Sequence, residues 1–214
     1  RAAPLAVTGV RLGEGILMDL SWFLPLLGFA LITCGTPGPN NMLLTAAGAN
    51  LGFRASLSTL VAVVSGLNLI MLATALGLGV IFAAQPWLHQ GLRIVGSGYL
   101  LWLAWKLARA GEPGERHVSE MPRWYQAAFL QLLNPKGWFM ALSAIGGFTL
   151  AEPGYWPSAV TVLLTFFAMG ILTGGCWVLF GAQIRRLIRT KQGWQRFNLC
   201  MGAMTAGCVA MVWW

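Results

Sequence analysis

Six apolar stretches, bounded by charged residues or by clusters of polar ones, dominate this sequence. A helix needs about 20 mainly apolar residues to cross the roughly 30 Å hydrocarbon layer of a bilayer. Only 9% of the residues are charged, whereas a soluble domain carries about 25%, so this chain has too little polar surface to cover a soluble core. We therefore predict an all-α integral membrane protein with six transmembrane helices, placed at residues 20–50, 55–84, 90–105, 124–150, 156–184 and 197–214.

The basic residues predict how these spans are oriented. Ten of the 14 Lys and Arg residues lie in the loops after spans one, three and five, and three lie on the opposite side. Cytoplasmic loops are enriched in Lys and Arg, so we place these loops in the cytoplasm and both termini outside. Because the net charge of +8 resides mainly in these loops, we expect it to face the lipid bilayer, and we expect no nucleic acid partner.

The N-terminal segment differs from the rest of the chain. Residues 1–17 contain no apolar run of spanning length and are too weakly hydrophobic for the core of a signal peptide. We expect a disordered extension there, with Met18 as a plausible true start. Residues 18–214 then form a single transmembrane domain, with a first repeat over about 18–108, a cytoplasmic loop over 109–123 and a second repeat over about 124–214.

Spans one and four each contain a proline turn that a continuous helix would avoid. Span one carries Gly-Thr-Pro-Gly-Pro-Asn-Asn at residues 35–41, and a Pro inside a helix costs about 3 kcal/mol. We predict a break there, with Thr36 as the N-cap and Pro37 as the first residue of a second half-helix. Span four carries Asn-Pro-Lys-Gly, where Asn134 is the predicted N-cap and Pro135 the first helical residue. Ordinary proline kinks are the simpler explanation for one such turn.

The two broken helices occupy corresponding places, because each opens a set of three spans. By the charge count, span one starts outside and span four starts inside. Two such sets would be related by inverted topology, as in secondary transporters that bind their substrate near the midplane among discontinuous helices. We therefore predict two inverted three-helix repeats, with broken helices 1 and 4 and a solute pathway between them.

A single lysine lies deep within a predicted span. Lys136 is costly at that depth, and no Asp or Glu in any span is available to pair with it. Its counter-charge is then the substrate, and half-helix N-termini beside it would favour a carboxylate. Side-chain amides and freed carbonyls would accept hydrogen bonds from an ammonium group. Together these groups fit a zwitterionic amino acid as the substrate. The candidate substrate-binding residues are Thr36, Pro37, Gly38, Pro39, Asn40, Asn41, Asn68, Asn134, Pro135 and Lys136, with Asn68 the weakest.

Other classes of function find less support. The two histidines lie in loops and do not form the cluster of ligands that metal export would need. The four cysteines have no C-x-x-C spacing, which a thiol carrier would need. We therefore expect no metal site and no cofactor. The spans contain no His, Asp or Glu to act as a base, so we expect no enzymatic activity. An interaction protein stays open, because Gly170-x-x-x-Gly174 could pack against a neighbouring helix or a second subunit, which leaves a homodimer as an option.

The chain carries Thr-Pro-Gly-Pro-Asn-Asn at 36–41, Gly48, Gly52, Phe53, Arg54, Tyr-Leu-Leu-Trp-Leu-Ala-Trp-Lys at 99–106 and Leu-Asn-Pro-Lys at 133–136. These motifs resemble the lysine exporter and homoserine/threonine resistance (LysE/RhtB) family over about residues 18–214. The resemblance implies an exporter of amino acids or similar metabolites in the bacterial inner membrane, driven by proton exchange, with both proline turns lining the site. Because the spans lack acidic residues and histidine, either Lys136 carries the proton or transport is not proton-coupled.

Overall fold

The computed structural model describes residues 20–110, 128 and 131–213, and all regular secondary structure in these ranges is helical. The predicted all-α class is therefore confirmed for this part of the chain. The predictions for residues 1–17, and most of those for the loop 109–123 and the first half of span four, lie outside the described residues. The helices are α1 (Leu20–Gly35), α2 (Pro39–Leu51), α3 (Phe53–Ala73), α4 (Gly79–Ala84), α5 (Pro86–Ala108), α6 (Pro135–Phe148), α7 (Tyr155–Leu187) and α8 (Lys191–Trp213).

Two helical segments of the described chain are long and apolar enough to cross a membrane. They are Phe53–Ile81 and Tyr155–Leu187, and the pair α1 and α2 would be a third span that is bent by 59° at its break. Helices α5 and α8 overlap predicted spans three and six, but their sequences are less apolar than those of the two helical segments above. The arrangement of six spans as inverted repeats stays a prediction.

An unpredicted irregularity interrupts span two. Between α3 and α4 the chain forms a π-helical turn, Thr74–Leu78, in which Gly77 has φ = +110°. Only Gly adopts this region readily, because it has no Cβ to clash with the backbone. The hydroxyl of Tyr155 donates a 2.6 Å hydrogen bond to the Ala75 carbonyl within this turn. The turn is thereby tied to the start of α7.

Helix α7 packs against α1, α2 and α3, and α2 is the helix that approaches α7 most closely. A Cβ on Gly48 would overlap the carbonyl oxygen of Val178, and a Cβ on Gly181 would overlap that of Thr45. The two backbones are therefore in direct contact, as is usual where small residues face each other between membrane helices. Helices α1 and α3 also pack on α7, while α5 and α8 pair with each other.

The small residues of the Gly170-x-x-x-Gly174 motif pack within the chain. A Cβ on Gly170 would lie 3.1 Å from Val64, and one on Gly174 would overlap Leu60, so both glycines face α3. These contacts account for the motif without a second subunit.

Candidate functional site

The first break lies two residues later than the sequence predicts. Both the N–H and the hydroxyl of Thr36 donate to the Ile32 carbonyl, at 2.9 and 2.6 Å, so Thr36 closes the last turn of α1. Gly38 is the N-cap of α2, with extended φ = −174° and ψ = 175°, and Pro39 is its first residue. The predicted roles of Thr36 and Pro37 were wrong because a residue before Pro avoids helical dihedral angles, and a helix starting at Pro37 would require them of Gly38.

The carbonyl groups left free at the end of α1 are taken up by side chains from elsewhere. The amide of Asn41 donates to the carbonyls of Cys34 and Thr36, at 2.9 and 2.8 Å. The indole N–H of Trp177 in α7 donates to the Gly35 carbonyl at 3.2 Å. The break is thus held in a defined geometry, because each of these three carbonyls accepts a hydrogen bond from a side chain outside α1.

Helix α6 starts where the sequence predicts the second break, while most of the preceding half of span four lies outside the described residues. Gln131–Leu133 is a short 3-10 turn, Asn134 is the N-cap of α6, and Pro135 occupies the first helical position. The side-chain oxygen of Asn134 accepts from the backbone N–H of Lys136 at 3.2 Å, as an N-cap should.

Lys136 connects the two breaks. Its ammonium group donates a 3.0 Å hydrogen bond to the Thr36 carbonyl at the end of α1. A positive charge is favourable there, because a helix C-terminus carries partial negative charge. A Cβ on Gly38 would lie 3.0 Å from Nζ of Lys136, so the absent side chain makes room for the ammonium group. In the described part of the chain, Lys136 has no carboxylate partner: the one acidic residue there, Glu152, lies in the loop after α6.

Three side-chain amides form a second connection, and one of them was not predicted. The amides of Asn40 and Gln131 pair reciprocally at 2.8 and 3.0 Å, and Asn134 donates to the Asn40 oxygen at 3.0 Å. Gln131 is 2% exposed. The sequence does show Gln131 as a polar residue in an apolar run, three residues before Asn134. Only the fold shows that its amide meets that of Asn40.

Two cavities meet at Lys136. The wider one has a volume of about 380 Å³ between α1, α5, α6, α8 and the start of α2, and its walls are mostly apolar. The narrower one, among α1, α2, α3, α6 and α7, encloses about 40 Å³, which is room for a few water molecules only. The wider cavity is lined by Phe29, Thr33, Pro39, Leu100, Asn134, Lys136, Phe139, Met140, Ser143 and Cys208.

Most of the predicted residues gather around these cavities. Those lining the narrow cavity are Gly38, Asn40, Asn41, Asn134 and Lys136. By contrast, Thr36, Pro37 and Pro135 belong to the breaks without lining either cavity. Asn68 also lines neither cavity, and its amide donates to the Val64 carbonyl of its own helix at 3.2 Å.

Several lining residues were missed by sequence reasoning. Thr33, Ser143 and Cys208 line the cavities from three different helices. Each is a small polar or polarizable residue in an apolar helix, a pattern too common in membrane proteins to single them out. Within the described ranges, no three His, Cys, Asp or Glu side chains come together as a metal site would require.

Comparisons with known proteins agree with this architecture. The family described as LysE type translocator matches residues 31–212. The cysteine/O-acetylserine efflux protein of Salmonella paratyphi A is 30% identical over 192 residues, which cover 87% of this chain and 94% of that protein. The protein of the same name from Escherichia coli is 31% identical over 192 residues, with the same coverage. No solved structure matches the chain significantly. The chain therefore belongs to the LysE type translocators, a family of multi-pass membrane transporters rather than enzymes.

Proposed function

We propose that this protein is a secondary transporter that exports neutral amino acids, or related small zwitterionic metabolites, across the bacterial inner membrane. The observation that carries the proposal is the position of Lys136, whose ammonium group lies where two cavities and two broken helices meet. All six acidic residues of the chain lie outside the interior of the predicted spans, so a substrate carboxylate is the fitting counter-charge.

The local hydrogen bonds allow a carboxylate to bind without leaving a buried group unsatisfied. Lys136 can turn from the Thr36 carbonyl to a substrate carboxylate, because that carbonyl keeps its 2.8 Å bond from Asn41. The carbonyl end of α1, which carries partial negative charge, then faces the substrate's ammonium group. The charge-assisted bond from Lys136 should contribute about 1.5–3 kcal/mol.

The wider cavity suggests which side chains the transporter accepts. Its volume of about 380 Å³ falls within the usual range for small-molecule sites, about 300–1,000 Å³. Phe29, Leu100 and Phe139 contribute apolar walls, and Ser143 adds a hydroxyl group. None of the lining residues is acidic, so a cationic side chain such as that of lysine would have no partner. Efflux of cysteine and O-acetylserine, the substrates in the names of the relatives, is compatible with this chemistry.

The predicted inverted repeats would explain why the breaks lie together. Residues 18–214 would form one transport domain, with cytoplasmic loops after spans one, three and five. The bonds of Asn40 and Lys136 across the two breaks support a shared site at the repeat interface. Alternating access would then separate and rejoin these contacts. Proton antiport belongs to the same proposal, and Lys136 is the basic residue placed to exchange a proton.

Transport by purified protein in proteoliposomes tests the function. We expect counterflow of labelled cysteine or serine, little counterflow of lysine, and roughly 10- to 150-fold weaker apparent affinity for Lys136→Ala, the factor that corresponds to the lost charge-assisted bond. Lys106→Ala is the matched control, because Lys106 lies over the Trp102 ring near the end of α5, away from both cavities. Normal transport by Lys136→Ala would refute the site. Unchanged export after collapse of the pH gradient would refute only antiport.

A further inference from the structure

A third cavity lies away from the candidate transport site, where the α2–α3 corner meets the C-terminal end of α7. It encloses about 400 Å³. Its lining combines two guanidinium groups with apolar side chains: Gly52, Phe53, Leu179, Ala182, Gln183, Arg185 and Arg186. Nothing in the proposed transport mechanism uses it.

The corner glycine makes room for one of the two arginines. Gly52 links α2 to α3 with φ = +83°, a conformation that other residues rarely adopt. A Cβ added there would lie 3.4 Å from a terminal nitrogen of Arg185, so this guanidinium group lies directly beside the backbone of the corner. Arg186 follows on the same helical turn and lines the same cavity.

Within the described ranges, no acidic side chain lies near these arginines. No acidic residue follows Glu152 in the sequence, while five basic residues lie between residues 185 and 196. Glu152 precedes the start of α7, a 33-residue helix, and is therefore about 50 Å from its other end. In the part of the chain that the structure describes, neither Arg185 nor Arg186 forms an ion pair.

The apolar wall distinguishes a lipid from a soluble anion. Phe53 is 41% exposed and Leu179 47% exposed, so both present hydrocarbon surface directly beside the arginines. Guanidinium groups bind phosphate through paired hydrogen bonds, and basic pockets between membrane helices bind anionic headgroups. We propose that this cavity binds the headgroup phosphate of an anionic phospholipid at Arg185 and Arg186, with an acyl chain along Phe53 and Leu179.

A bound lipid would hold together two distant parts of the chain. The cavity joins the corner at Gly52 to the end of α7, and α2 and α7 are also the helices whose backbones touch at Gly48 and Gly181. Binding to the folded state alone stabilises it by mass action. We therefore expect the anionic lipid to raise thermal stability.

Lipid binding to the purified full-length protein in an uncharged detergent tests the proposal. Native mass spectrometry and thermal unfolding would be recorded with phosphatidylglycerol, phosphatidylcholine or inorganic phosphate. We expect retention of phosphatidylglycerol, with about fivefold weaker binding for Arg186→Gln and a further loss when Arg185→Gln is added, because each basic residue near the surface contributes about 1 kcal/mol. Phosphatidylcholine and inorganic phosphate should bind much more weakly.

Arg189→Gln is the matched control, because Arg189 lies four residues after Arg185 but does not line the cavity. Equal losses for this control and for Arg186→Gln would overturn the site in favour of general surface attraction. Equal stabilisation by inorganic phosphate and phosphatidylglycerol would overturn the lipid in favour of a soluble anion. The transport assay with Lys136→Ala is independent of both results.

Discussion

The amide pair between Asn40 and Gln131 offers a quantitative test of how the two broken helices are joined. Its members are 91 residues apart and exchange two hydrogen bonds, at 2.8 and 3.0 Å. A double-mutant cycle would combine Asn40→Leu and Gln131→Met, which remove the amides while keeping much of the side-chain volume. Asn134 also donates to the Asn40 oxygen, so Asn40→Leu removes a shared acceptor.

The expected energies follow from the number and burial of these bonds. Hydrogen bonds between membrane helices contribute about 0.6 kcal/mol on average and about 1.7 at most. Two reciprocal bonds therefore predict a coupling energy of about 1–2 kcal/mol. Each single substitution should cost about 1–3 kcal/mol, because it removes hydrogen bonds from an amide that is buried or half-buried. Asn40→Leu should be the more costly, since both Gln131 and Asn134 lose an acceptor.

Reversible unfolding in mixed micelles would measure the four free energies of the cycle. Asn68→Leu is the matched control, because the Asn68 amide bonds only within its own helix in the described structure and should cost much less. Exchange of the two residues, Asn40→Gln with Gln131→Asn, should restore part of the stability by keeping the pair's combined length. A coupling energy below about 0.3 kcal/mol, or equal costs for Asn40→Leu and Asn68→Leu, would refute the reasoning.

Two glycine substitutions give further predictions, with Gly28→Ala as their common control because nothing lies within 4 Å of a Cβ there. Gly38→Ala should lower proteoliposome transport several-fold with less than about 1 kcal/mol loss of stability, because its Cβ would lie 3.0 Å from Nζ of Lys136 and displace the ammonium group. Normal transport by this variant would argue against a positioned ammonium. Gly181→Ala should lose about 1–3 kcal/mol or more of unfolding free energy, because its Cβ would overlap the backbone at Thr45. A variant as stable as the control would contradict the close approach of α2 and α7.

The helix boundaries show how far local rules extend. Asn134 and Pro135 were correctly predicted to start α6, because an N-cap followed by Pro depends only on adjacent residues. The same rule applied at two positions in span one, and Thr36-Pro37 was the wrong choice over Gly38-Pro39. The π-helical turn at Gly77 was also missed, because an isolated glycine in an apolar run carries no signal of its φ angle.

The sequence by itself determined that this chain is helical and apolar, that the first span breaks at its proline turn, that a helix starts at Pro135, and that one lysine lies among apolar residues without an acidic neighbour. These features follow from composition and from rules acting over a few residues. Only the tertiary structure decided that Lys136 meets the carbonyl end of α1, that Gln131 pairs with Asn40, and that Asn68 does not line either cavity. The physical reason is that the contacts of Lys136 and Gln131 join residues 100 and 91 positions apart, and that which side chains line a cavity depends on how the helices pack.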